Sequence, residues 1–133
     1  MNILEEVKDA GTIGISGHIR PDGDCIGSAM GLYLYLKKVC PMARIEIMLE
    51  KPADIFNCIK GVDEIHTDFT TEIDSFDVFI VVDAAKDRTG EAEKYFDQAK
   101  KTINIDHHVS NSGCGDVNYI VPGASSASEL VYQ

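Results

Sequence analysis

The run Phe76-Asp77-Val78-Phe79-Ile80-Val81-Val82 constrains the fold more than any other stretch of the chain. Its near-continuous series of β-branched and aromatic side chains is the kind buried on both faces, and such strands belong to parallel sheets. The segments around it repeat a strand-and-helix alternation. Thr12-Ile13-Gly14-Ile15-Ser16 is a short apolar run bounded by glycines and reads as a buried strand. The apolar residues Ile26, Ala29, Met30, Tyr33, Leu34, Leu36 and Val39 then recur at spacings of three and four. That spacing predicts an amphipathic helix over residues 25–39, ending in Lys37-Lys38, where cations suit a helix C-terminus.

Residues 43–49 alternate and predict a second strand, and Pro52 with Ala53, Ile55, Phe56 and Ile59 predicts a short helix closed by Gly61. Residues 64–66 are a weak strand candidate. Ala92, Tyr95, Phe96 and Ala99 predict a helix over residues 90–100, and residues 102–105 predict a strand leading into Asp106-His107-His108. After a loop at 110–115, residues 119–121 form an extended piece, followed by Pro122-Gly123. Ser125 or Ser126 caps a last helix running to Gln133, Glu129 completing a capping-box spacing with Ser126. The expected fold is α/β, an open, mostly parallel sheet with helices on both faces, in one domain over residues 1–133. A chain of 133 residues is long enough for one hydrophobic core and short for two.

In such sheets ligands bind at the carboxyl ends of the strands. Three predicted strands end in chemically capable residues: the first in Gly17-His18-Ile19-Arg20-Pro21-Asp22-Gly23-Asp24, the run at 76–82 in Asp83, and the strand at 102–105 in Asp106-His107-His108. A single Asp after a strand is most often a turn former or helix cap. Four carboxylates converging at one sheet edge are another matter, because unpartnered they repel and are driven to take up protons. A cation removes that cost. The donor set is rich in oxygen and imidazole and has no thiolate, which favours manganese, with magnesium or iron as alternatives, over a tetrahedral zinc site. Pro21 and Gly23 keep the first motif from being a regular helix, so a turn can aim His18 and Asp22 inward together while Asp24 faces a neighbouring point. That spacing suits a pair of adjacent cations, the arrangement that activates water for in-line displacement at phosphorus. Gly27 and Ser28, in the first turn of the following helix, are candidates for holding a phosphate on exposed backbone N–H groups, although close packing of Gly27 and Gly31 on the sheet explains the glycines equally well.

The motif from Gly17 to Ser28 together with Asp106-His107-His108 closely resembles the DHH phosphoesterase superfamily, and within it the oligoribonuclease and phosphoadenosine phosphatase group. The resemblance runs from the first strand to Ala124-Ser125-Ser126-Ala127-Ser128-Glu129-Leu130-Val131-Tyr132. It implies that His18, Asp22 and Asp83 hold one metal and Asp24, Asp83 and His107 the other, with Asp83 as the bridge. It also implies that His108 faces the scissile phosphate, that Asp106 supports the histidines, and that two-metal activation of water hydrolyses short oligonucleotides to nucleoside monophosphates, 3′-phosphoadenosine 5′-phosphate to AMP, or both. The family has a further metal-binding Asp and a C-terminal substrate-binding domain, so this chain is expected to be the catalytic half of a longer protein, truncated before both.

Other readings share parts of the pattern. A cyclic-dinucleotide phosphodiesterase or a family-II-type inorganic pyrophosphatase has the same metal motifs, and Gly23 between the two aspartates modestly disfavours the pyrophosphatase. A non-catalytic metal- or nucleotide-binding module would keep the fold, but loss of function usually erodes such a full set of ligands. A receiver domain would leave His107-His108 without a purpose, and no G-x-G-x-x-G follows the first strand as a Rossmann domain requires. The formal charge of -10, from 22 acidic against 12 basic residues, argues against gripping long duplex nucleic acid. A short oligonucleotide or nucleotide is the expected partner, and a homodimer is left open. No apolar run approaches the roughly 20 residues of a membrane span and the N-terminus lacks the pattern of a secretory signal, so a cytoplasmic protein without a membrane partner is expected. Cys25, Cys40, Cys58 and Cys114 form no C-x-x-C pair and read as reduced structural thiols, Cys25 being set apart only by its place inside the first motif. His66 lies outside every motif and reads as a surface or packing residue.

Overall fold

The structure, a computed structural model, describes residues 3–108 and 110–121. Its strands are β1 (Thr12–Ser16), β2 (Arg44–Met48), β3 (Val78–Val82), β4 (Lys101–Asp106) and β5 (Val117–Ile120), and its α-helices are α1 (Ile3–Val7), α2 (Gly23–Val39) and α3 (Glu93–Gln98). All five strands run parallel in one sheet of order β2-β1-β3-β4-β5. Every residue of β3 is buried, as a strand with two apolar faces demands. The chain leaves β1 towards β2 on one side and then crosses to β3 on the other. The strand order therefore reverses between β1 and β3, the point at which open α/β sheets leave a crevice beyond the carboxyl ends of the strands.

Each face of the sheet has its own core. On one side Ile13, Ile15, Ile47, Val78, Ile80, Val82, Ile103 and Ile105 meet Ile26, Ala29, Met30, Tyr33 and Leu36 of α2, with Val7 of α1 at the margin. On the other, Met48, Phe79 and Val81 pack with Phe69, Phe76 and Phe96, the last from α3. Helices thus cover both faces, as expected. Gly14 opens this second face to its neighbour strand. It is the Cα partner of Phe79, and a Cβ at position 14 would lie 2.4 Å from the Phe79 ring.

Several elements differ from their expected extents for local reasons. The helix expected from Ala53 is a 3-10 helix, Asp54–Cys58, with no buried residue and with Ile55 left 77% exposed, and within it only Phe56, partly buried, packs against the core. Residues 64–66 do not form a strand. A 3-10 turn, Val62–Glu64, follows Gly61 at φ 85, and His66 N–H makes a single bond to Ile47 O at 2.8 Å. The helix expected at 90–100 shortens to α3, preceded by the 3-10 turns Lys86–Arg88 and Gly90–Ala92. Gly90, at φ 66, breaks the helical geometry at its start. α1 was not predicted. It is five residues long, too short for a periodic pattern to stand out, and is tied to β4 by Lys101, which bonds both the backbone carbonyl and the carboxylate of Glu6. The extended piece expected near 119–121 is β5. The expected Pro122-Gly123 turn and the helix from Ser125 or Ser126 lie outside the described residues. Among the described residues no helix is long and apolar enough to cross a membrane.

Candidate metal centre

The loop leaving β1 and the first turn of α2 are held through three backbone N–H groups. Ile19 N donates to Arg88 O at 2.8 Å, Arg20 N to Glu50 Oε1 at 2.7 Å, and Cys25 N to Asp22 Oδ1 at 3.0 Å. The last bond makes Asp22 the N-cap of α2, which satisfies one orphan donor of the first turn and places Asp24 inside that turn. Gly17 permits the close approach of three elements here, because a Cβ at this position would meet Cys25 Sγ at 2.3 Å and Val82 O at 3.2 Å.

Asp83 follows β3 directly and is 3% exposed. Its backbone adopts φ 61, a left-handed conformation that Asp and Asn tolerate better than other non-glycine residues, and its N–H is held by Ile105 O at 2.9 Å. The side chain is gripped from both sides. His18 Nε2 lies 3.1 Å from Asp83 Oδ2, and His107 Nε2 lies 3.1 Å from Asp83 Oδ1. Asp22 Oδ1 is 3.6 Å from His18 Nε2, and Asp24 Oδ2 is 3.3 Å from His107 Nε2. The five residues thus fall into two groups that share one carboxylate: His18 and Asp22 at one oxygen of Asp83, Asp24 and His107 at the other. Ile19 O lies 2.7 Å from His18 Nδ1, so a proton on Nδ1 leaves Nε2 as a donor of electrons at the Asp83 side.

The electrostatics of this cluster are costly as they stand. Burial first, and then the neighbouring charge of Asp24, push the Asp83 carboxyl up to about 6. A divalent cation reverses both effects, and a hard oxygen-and-imidazole set is the kind that holds one. Cys25 Sγ lies within reach of His18 and Asp83, and burial above all pushes its thiol up to about 12.

Asp106 and His108 sit beside this cluster. Asp106, at the end of β4 and 1% exposed, accepts from His107 N at 2.7 Å and holds His108 Nδ1 at 2.6 Å, both through Oδ1. The His108 side chain is 47% exposed. It lines a groove of about 630 Å³ together with His18, Asp22 and Asp83.

Gly27 and Ser28 are not in this arrangement. α2 begins at Gly23, two residues before the expected start, so Gly27 lies beyond the first turn, where backbone N–H groups are already bonded within the helix. The Ser28 hydroxyl is fully buried and donates to Asp24 O at 2.7 Å. Two basic residues outside the sequence motifs also line the groove, Lys86 and Arg88. They follow Asp83 by three and five residues on the same strand-end loop, the one sign in the sequence that could have marked them. His66 is remote from the site and bonds Thr70 O at 2.9 Å.

The chain matches the DHH family, N-terminal domain, over residues 12–133. Among curated proteins it is 30% identical to the bifunctional oligoribonuclease and PAP phosphatase NrnA of Bacillus subtilis over 122 residues, covering 92% of this chain and 37% of that protein. It is 29% identical to the probable bifunctional oligoribonuclease and PAP phosphatase NrnA of Streptococcus mutans, covering 97% of this chain and 40% of that protein. The chain therefore spans about two fifths of the length of these relatives. Among solved structures, an exopolyphosphatase-related protein from Bacteroides fragilis superposes with a TM-score of 0.82 at 27% identity, over 98% of this chain and 40% of that one.

Proposed function

The chain belongs to the DHH family, and from that premise we propose that it is the metal-binding half of a phosphoesterase acting on short oligonucleotides, on 3′-phosphoadenosine 5′-phosphate, or on both. The observation that carries this reading is the buried Asp83 carboxylate, with one imidazole Nε2 at 3.1 Å from each of its oxygens and a further carboxylate beside each imidazole. His18, Asp22 and Asp83 would hold one divalent cation and Asp24, Asp83 and His107 a second, with manganese the first choice. When bound, such a pair supplies a nucleophile at neutral pH and withdraws charge from phosphoryl oxygens.

The chain's own residues contribute the rest. His108, held through Nδ1 by Asp106, presents its other nitrogen to the groove, where it can bond a phosphoryl oxygen or pass a proton to the leaving oxygen. Lys86 and Arg88 bring basic residues to a groove whose lining also includes the carboxylates Asp22, Asp83, Asp87 and Asp106, which suits a substrate carrying more than one phosphate charge. The names of the Bacillus and Streptococcus relatives support oligonucleotide and PAP substrates for this chain. The Bacteroides relative, described as exopolyphosphatase-related, favours a second reading in which a phosphoanhydride such as pyrophosphate is hydrolysed.

A product assay on the full-length protein with manganese separates these readings. The panel is a dinucleotide, a cyclic dinucleotide, a 3′,5′-bisphosphonucleoside and pyrophosphate. Release of nucleoside monophosphate from the dinucleotide, or of phosphate from the bisphosphonucleoside, is the expected result. Pyrophosphate as the sole substrate contradicts the first reading.

A further inference from the structure

Beneath His108 runs a chain of buried amides in which every hydrogen bond has a defined direction. Asn104, in the middle of β4, is fully buried. Its Nδ2 donates to Val81 O at 3.1 Å and to Ala84 O at 2.7 Å, so both amide hydrogens are spent around the end of β3 that carries Asp83. Asn104 Oδ1 is left as an acceptor. It receives one hydrogen of Asn111 Nδ2 at 2.9 Å. The other hydrogen of Asn111 Nδ2 goes to Asp106 Oδ2 at 2.9 Å, and Asn111 Oδ1 accepts from Gly113 N at 2.8 Å. Flipping either amide would set acceptor against acceptor, so both orientations are locked.

The consequence falls on Asp106. Its Oδ1 is shared by His107 N and His108 Nδ1, and its Oδ2 is held by Asn111. A carboxylate held through one oxygen can swing about its Cβ–Cγ bond, and one held through both cannot. The same Asn104 side chain satisfies the Val81 and Ala84 carbonyls, so it contributes to stability as well as to the placement of Asp106.

We propose that Asn104 and Asn111 are positioning residues that lock Asp106, and through it the His108 ring, in register with Asp83. The proposal rests on the reading of His108 as the group that faces the substrate phosphate, and extends that site into the sheet by two residues. Neither amide hydrogen-bonds the side chain of His18, Asp22, Asp83 or His107, although Asp106 also accepts from His107 N, so the larger effect is expected on turnover and the smaller on the affinity for metal.

A double-mutant cycle in the full-length protein tests it, with turnover of a diribonucleotide, or of whichever panel substrate the protein cleaves, measured at saturating manganese. Asn111→Ala is expected to lower kcat by about 10–100-fold, the scale of a small misplacement of a reacting group. KM should change by less than about threefold, and the manganese isotherm should keep its stoichiometry. In the His108→Ala background the same substitution is expected to cost less than about threefold, because there is no ring left to misplace. Equal losses in both backgrounds would overturn the proposal, as would a wild-type kcat for Asn111→Ala alone. His108→Ala retaining wild-type turnover would instead refute the role of His108, and the relay with it. Should Asn111→Ala fail to fold, Asn111→Ser and Asn104→Ser, which cut the chain at adjacent links, give the same cycle with the same criteria.

Discussion

Arg88 shows how a single side chain can matter at a site otherwise built from acids. Its backbone carbonyl anchors the His18 loop through Ile19 N at 2.8 Å, and the residue lines the groove. Among the described residues no ion pair to Arg88 is found, whereas Lys86 on the same turn is paired with Asp97 at 2.8 Å. A guanidinium in that position is suited to phosphoryl oxygens. Arg88→Ala is therefore expected to raise KM for the substrate by roughly tenfold with a smaller change in kcat, the signature of lost uniform binding, measured by steady-state kinetics on the full-length protein. A fall in kcat at unchanged KM would instead place Arg88 at the transition state. At this scale the sequence was legible where a residue's position follows from where its strand ends: His18, Asp83, Asp106, His107 and His108 could all be placed that way. It was not legible for Ser28, whose hydroxyl turns back onto Asp24 O, a choice made by the helix's own backbone. Nor was it legible for Asn111, whose partners come from β4 and lie 5 and 7 residues away in sequence. Asn104 did leave a sign, an amide between two isoleucines in a buried strand, since a buried polar group has to find a partner.

Two contacts at the level of elements set β1 against β3, and both can be tested. At the end of the sheet away from the site, Asp77 Oδ2 accepts from Gly11 N at 2.8 Å and Thr12 N at 3.3 Å, while Thr12 Oγ1 accepts from Asp77 N at 2.9 Å. The Gly11 bond foremost holds the Asp77 carboxyl below the usual carboxylate range. A lowered folded value means that the stabilisation is present above the unfolded value, near pH 4, and is lost as pH falls through the folded one. Thermal melts of Asp77→Asn should show a lower Tm than the wild type at pH 7, with the gap closing below about pH 4; a gap that widens on acidification would contradict the sign. In mid-strand, Gly14→Ala should cost about 1–3 kcal/mol, since its Cβ would lie 2.4 Å from the Phe79 ring. Phe79→Leu should recover part of that loss in denaturant unfolding, and purely additive losses would argue against the clash. The strands and α2 were legible as elements because burial imposes a period on them. The short helix expected at Ala53 and the strand expected at 64–66 were not, because the first buries none of its own residues and the second rests on one backbone bond. Propensity alone does not settle such segments.

Across the whole molecule, the order β2-β1-β3-β4-β5 brings residues from three distant segments to one crevice. No periodicity in the sequence states that order. Its consequence was still legible, because any parallel sheet puts the carboxyl ends of its strands on one edge, and three of those ends carry the acids and imidazoles. Part of the formal charge of -10 is concentrated there, since Asp22, Asp24 and Asp83 share one cluster with two imidazoles. Metal stoichiometry tests that account most directly, by calorimetric titration of manganese into the full-length protein and three variants. Two equivalents are expected for the wild type, one for His18→Ala, and one for His107→Ala with the other site retained. Asp83→Asn, which keeps the left-handed backbone and removes only the charge, is expected to lose both. Two equivalents retained in Asp83→Asn would contradict the shared carboxylate at the centre of the site.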